Sequence, residues 1–245
     1  MMHVSQNKSQ AVDTRETLLC GVFTKKDSVA TIVGGCRHIH SATLGPRDPA
    51  AKQTQDALDR AIVPVYSWEQ TPTAAPMILG NSADRAALIQ EIVVSTGIAK
   101  KRFLKEKVTY VLEELITNAL YHAYRNPAGK EKYARSSRVT LSSEEALTVR
   151  SQVTPNGIWL SVSDQAGSLA FKDVAMSLHR CYETKNQIEN KEGGAGLGTY
   201  MVFDAVTHLK FVTIPGHSTV VSCWIADQRS YDPQAFSFNY FEGRK

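Results

Sequence analysis

The chain has 245 residues, 42% hydrophobic and 21% charged, enough to bury a full core as one large domain or as one domain with a modest extension. A formal net charge of +4, without blocks of Lys or Arg, gives no argument for nucleic acid or an anionic membrane as partner. Cys20, Cys36, Cys181 and Cys223 stand far apart, which leaves no close-paired metal motif and no disulfide-dense scaffold, and points to free thiols in a reducing compartment.

The start, MMHVSQNKSQAVDTRE, is polar and lacks the apolar core of a signal peptide, and no apolar run reaches the ~18 residues of a membrane span. A cytoplasmic location is expected. Residues 1–75 read as a small α/β extension of unknown role. In it, TLLCGVF (Thr17–Phe23) and SVATIVGG (Ser28–Gly35) have the composition of short strands. DPAAKQTQDALDRAIVP has an Asp cap, Pro49 at the first helical position and Pro64 as a stop. VPVYSWEQTPTAAP then holds three prolines within thirteen residues and reads as a linker.

Regular signals begin at Pro76. PMILG is a strand, and Asn81 or Ser82 caps a helix running toward Gly97. KRFLKEKVTYVLEELITNALYHAY is one long helix ended by NPAG. TVRSQVTPNGIWLSVSD alternates about TPNG as a hairpin does, and HLKFVTIPGHSTVVSCWIA repeats the design about PGHS. Between the hairpins, EGGAGLG opens the helix TYMVFDAV. The polar stretch 126–147 reads either as a surface loop or as a partner-specific insertion. Residues 227–245 form an aromatic tail that has no reading alone.

Three constellations carry chemistry. Glu114, Asn118 and His122 recur every four residues, one polar row on the long helix beside Val108, Val111, Leu112, Leu115, Ile116, Ala119 and Leu120. Such a row is either a solvated edge or a set of ligands. Glycines Gly193–Gly198 at the mouth of a helix let backbone N–H groups meet an anion with the helix dipole behind them, although glycine-rich turns also occur without ligands. They match neither a Walker loop, for want of Gly-Lys-Ser/Thr, nor a dinucleotide fingerprint, for want of a preceding strand. Asp164 closes IWLSVSD before QAGS, where a carboxylate can accept from a base amino group or can simply start a turn.

In this order, over about Pro76–Ala226, the pieces resemble the ATP-binding fold shared by gyrase, heat-shock chaperones, mismatch-repair ATPases and histidine kinases. Within that superfamily the chain is most similar to the anti-sigma-factor serine/threonine kinases. EELITNALYHAY resembles their helix motif, YETK (Tyr182–Lys185) a part of their ATP lid, and STVV their last nucleotide-contacting strand. The helical dimerisation domain of histidine kinases has no counterpart upstream. The resemblance implies a two-layer α/β sandwich of the Bergerat type, a mixed, mostly antiparallel sheet with helices on one face, spanning 76–226 between the N-terminal extension and the tail.

It also implies roles. Asn118 would ligate Mg²⁺, and Glu114 would be the general base. His122 would support the site or touch phosphate. Asp164 would read the adenine amino group with Ala166 and Gly167 beside it, and Thr219 would add a hydrogen bond near the base. Gly194, Gly196, Leu197 and Gly198 would wrap the phosphates of ATP or ADP, with Lys185, then Lys191, as lid cations. Partners implied are an anti-sigma-factor antagonist carrying the target Ser or Thr, a sigma factor, and a second copy as homodimer. The family's two glycines after the Asp fall here on Ala166 and Ser168 with Gly167 between, which predicts weakened rather than abolished affinity, and its lid arginine has no clear equivalent. The other functional reading is therefore a protein-interaction module that senses the nucleotide without transferring phosphate.

Overall fold

The computed structural model describes residues 3–4, 18–22, 24–45, 48–59, 75–183, 197–227 and 234–243. From the N-terminus, β1 (His3–Val4) pairs antiparallel with β2 (Leu18–Gly21), and α1 (Lys25–Val33) leads to β3 (His38–Ser41), which lies parallel to β2. Helix α2 (Pro49–Asp59) follows, its first turn capped by Asp48 Oδ1, which accepts from Ala50 N at 2.9 Å. Then come β4 (Met77–Leu79), α3 (Arg85–Ser95) and the 21-residue α4 (Arg102–His122). The hairpin β5 (Leu147–Thr154) and β6 (Gly157–Asp164) precedes α5 (Phe171–Glu183) and α6 (Leu197–Ala205). The hairpin β7 (His208–Ile214) and β8 (Ser218–Ala226) and the last strand β9 (Ser237–Glu242) complete the described elements.

These strands form one mixed sheet in the order β1-β2-β3-β9-β7-β8-β6-β5-β4. Only β2 with β3 and β7 with β9 are parallel; every other pairing is antiparallel. Helix α4 lies on β6, β8 and β5 and is flanked by α3 and α6, so that Val108, Val111, Leu112 and Ile116 are fully buried. The fold is thus the expected two-layer α/β sandwich. Helix α2 adds cover to the opposite face: Ala57 packs with Val212, Val220 and Phe241, whereas the alternate residues Phe211 and Val221 belong to the core under the other helices.

Two parts of the sequence take on meaning only in the assembled sheet. The strands of the N-terminal extension continue the main sheet rather than forming a piece of their own, and the aromatic tail is the strand β9 that joins them to it, seated between β3 and β7. Phe238 and Tyr240 from β9 meet Phe203, Phe211 and Phe171 edge to face or tilted, with centroids 5.3–6.3 Å apart. The proline-rich stretch from Pro64 to Ala74 lies outside the described residues.

The segment Ser28–Gly35 corrects the expectation of a strand: it is most of α1. Its β-branched residues favour a strand by propensity, but Thr24 and Asp27 form a capping box, with Asp27 N to Thr24 Oγ1 at 3.2 Å and Thr24 N to Asp27 Oδ2 at 3.3 Å. Lys25, Ser28, Val29 and Ile32 are buried at helical spacing, largely against α5, and that packing outweighs the propensity.

The sheet face under α2 holds His38, His40 and His208, all buried. Burial pushes His38 down to about 4 and His208 to about 3, the latter with repulsion from His40 and Lys25, and it lowers His40 despite the nearby Asp48. Their neutral forms are favoured in the native state, so this stability is complete above the unfolded value near 6.5 and is lost as pH falls toward 4. Asp48 and Asp164, raised by burial, act in the opposite sense over the same interval but by less. We expect the unfolding free energy to fall by about 2–3 kcal/mol between pH 7 and pH 5. Urea midpoints at the two pH values check this, and equal midpoints would contradict it.

Candidate functional site

The row on α4 is half-buried at Glu114, Asn118 and His122, flanked by the fully buried Val111, Ile116 and Leu120. It therefore lies along the margin of the helix rather than on its solvent face. Glu113, its neighbour in sequence, is tied by Arg85, whose Nε is 2.7 Å from Glu113 Oε2 and whose Nη1 donates to Thr117 Oγ1 at 3.1 Å. That pair fastens α3 to α4. Glu114 turns instead toward the first turn of α6, where a side chain on Gly198 would collide with its carboxylate. The carboxylate of the row and the first turn of α6 thus come together, and a side chain at 198 would have to displace the Glu114 carboxylate. The side chain of Asn118, one turn on, makes no hydrogen bond to any described residue.

Tyr110 extends the row one turn backwards, a position that the four-residue spacing marks but that sequence reasoning passed over. Its hydroxyl is buried without a hydrogen-bond partner among the described residues, and burial, with the charge of Glu114 added, pushes its pKa up to about 12. At the other end of the row His122 is held on both ring nitrogens. Arg135 can only donate, so Nε2 accepts from its Nη2 at 2.5 Å, which leaves Nδ1 to donate to Glu131 Oε1 at 2.5 Å. His122 is in this way a support for the segment that follows α4.

That segment, 126–147, is no bare surface loop. Val139 and Leu141 are buried in the main core, Ser82 N donates to Val139 O at 2.9 Å, and Leu141 N to Gly80 O at 2.8 Å. Glu145 collects Lys132 Nζ at 2.6 Å and the Tyr133 hydroxyl at 2.8 Å. Tyr124, just past α4, donates its hydroxyl to Glu145 O at 2.8 Å and accepts from Gln165 N at 3.2 Å. The end of α4 is thereby fastened to the loop that starts at Asp164.

Asp164 ends β6 directly across the strand pair from Thr219 on β8. Its Oδ1 accepts from Ala166 N at 2.9 Å and from Gly167 N at 3.2 Å. Burial pushes the carboxyl up to about 6, against the pull of these N–H groups and of Thr219. The Thr219 hydroxyl, fully buried, lies beside the carboxylate without a properly directed partner. Gly167 has φ +58° and sits tightly against the β7–β8 turn, its carbonyl accepting from Gly216 N at 3.1 Å. Gly167 therefore takes the left-handed place in this loop, while Ala166 packs its methyl on the core.

Glu114, Gly198, Asp164 and Thr219 are thus brought onto one side of the α4–β6–β8 unit, with Asn118 between the α6 end and the Asp164 end. Lys185, Lys191, Gly194 and Gly196 lie outside the described residues, so their place in the site is not part of this geometry. No cluster of three His, Cys, Asp or Glu side chains suited to a metal occurs among the described residues. A cation held mainly by Asn118 and by the oxygens of a ligand is compatible with that. Among the described residues no helix is long and apolar enough to cross a membrane.

No model of a known protein family matches the chain, and no curated protein is significantly similar to it.

Proposed function

We propose that this chain binds an adenine nucleotide with Mg²⁺ in the manner of the histidine-kinase-like ATPases and acts as a cytoplasmic protein serine/threonine kinase of the anti-sigma-factor type. The observation that carries the reading is the packing of Gly198, at the head of α6, against Glu114, with Asp164 and Thr219 paired at the other end of the same helix–sheet unit. The residues fit these groups on two counts: among the described residues the Asn118 side-chain amide is unengaged, and the buried Thr219 hydroxyl lacks a directed partner. Bound Mg²⁺ would supply charge neutralisation on the phosphates.

Asp164, its Oδ1 already held by two backbone N–H groups, orients to accept from the adenine amino group. The N-terminal amides of α6 face the anionic end of the ligand. Asn118 Oδ1 would be a ligand of the cation. Glu114 takes up the proton of a Ser or Thr hydroxyl presented by an anti-sigma-factor antagonist; a sigma factor would be the inhibited target and a second copy of this chain the dimer partner.

The ionisation of Asp164 provides a test. A donor hydrogen bond from adenine stabilises the carboxylate, so affinity is complete above about pH 6 and declines as the group protonates below it. Titrating adenosine at pH 7.5 and pH 5 should show a loss of about tenfold at the lower pH, abolished in an already weakened Asp164→Asn variant. Adenosine affinity that does not change with pH would remove Asp164 from the base-reading role.

A further inference from the structure

We propose that Lys25, from the N-terminal extension, is a positioning residue for α6, setting the place of the helix end that meets the ligand's phosphates; this rests on the nucleotide reading above. Lys25 is the first residue of α1, and its side chain is buried, with 3% of its surface exposed. Its ammonium reaches three backbone carbonyls at the end of α6: Val206 O at 2.6 Å, Asp204 O at 2.9 Å, and Phe203 O. It also lies 5.3 Å from the centroid of the buried Phe203 ring. Lys107 on α4 donates to Ala205 O at 3.2 Å from a second direction.

Helix α6 is short, nine residues. A helix of that length is not stable alone, and its last carbonyls have no partners within the helix. A buried amino group that donates to those carbonyls satisfies them, and any positive charge on it opposes the negative end of the helix dipole. Lys25 is itself held firmly: Thr24 and Asp27 box the start of α1, and Ser28 Oγ donates to Lys25 O at 2.7 Å. Burial lowers its pKa well below the usual lysine value, with the charge of Asp204 pulling it back up, and the three N–H···O=C hydrogen bonds hold the side chain in place whether or not it carries its full charge. At the opposite end of α6, Gly198 passes against Glu114 with no room to spare. A small tilt of so short a rod about its anchored end moves Gly198 relative to Glu114. The extension thereby controls the geometry at the phosphates from the far end of the helix.

The full chain carrying Lys25→Met, and the milder Lys25→Gln in case the first does not fold, would be compared with the unaltered protein by two readings. One is backbone amide exchange along α6; the other is the ratio of Mg·ATP to adenosine affinity. The expected result is exchange faster by about tenfold in α6 and a fall of about tenfold in that ratio, with adenosine affinity unchanged. Unchanged exchange in α6, or equal loss for ATP and adenosine, would overturn the role of Lys25 and leave the nucleotide reading standing. Failure of the unaltered protein to bind either ligand would overturn the nucleotide reading and this role with it.

Discussion

Removal of residues 228–245 is expected to leave a chain without a cooperative native sheet. Strand β9 is the bridge between β3 and β7, so its loss separates β1–β3 from the remaining strands and opens two sheet edges, at β3 and at β7. It also takes Phe236, Phe238, Tyr240 and Phe241 out of the core, where they are 0–5% exposed. Truncating one such ring typically costs about 3–5 kcal/mol, and the whole stability of a domain is about 5–15 kcal/mol. Circular dichroism and urea titration of the truncated chain should show no cooperative transition, and Phe238→Ala alone should lose about 3–5 kcal/mol. A truncated chain with the midpoint of the full one would show that β9 is an accessory to the fold.

The second large effect is expected at Gly167. Its φ of +58° already costs a side-chain-bearing residue about 1 kcal/mol, and a methyl there would run into Ile214 O and lie 2.7 and 2.8 Å from His217 N and Ser218 N. All three are backbone atoms of the β7–β8 turn, which leaves no flexible side chain to yield. Gly167→Ala should therefore displace the Asp164 loop, lower stability by about 2–4 kcal/mol, and weaken adenosine binding by at least about tenfold, because Gly167 N is one of the donors that hold Asp164. Unfolding curves and adenosine titration of the variant read the two effects separately. Wild-type stability with Gly167→Ala would mean that the turn opens at little cost.

Much of this was legible in the amino acids. Both hairpins, the length of α4, the presence of α6 and the positions of Glu114 on a helix and Asp164 at a strand end follow from alternation, helical spacing and turn residues, all local signals. What was not legible depends on contacts far apart in the chain. Ser28–Gly35 has strand-like residues, and only the capping box and the packing on α5 make it α1. The tail shows its aromatic rings but not that they fill a gap between β3 and β7. Lys25 has no motif at all, since its three carbonyl partners lie about 180 residues away. Nor do local signals show that Gly167, between Ala166 and Ser168, takes the positive φ of that turn against the distant β7–β8 connection.

The most direct test of nucleotide binding is calorimetric titration of the full chain with ATP and Mg²⁺, beside Asn118→Ala and Asp164→Asn. The account predicts saturable binding that is lost or reduced by at least about tenfold in each variant, with both variants folded. No heat of binding by the unaltered protein up to about 1 mM ATP, or binding equal in all three proteins, would contradict it.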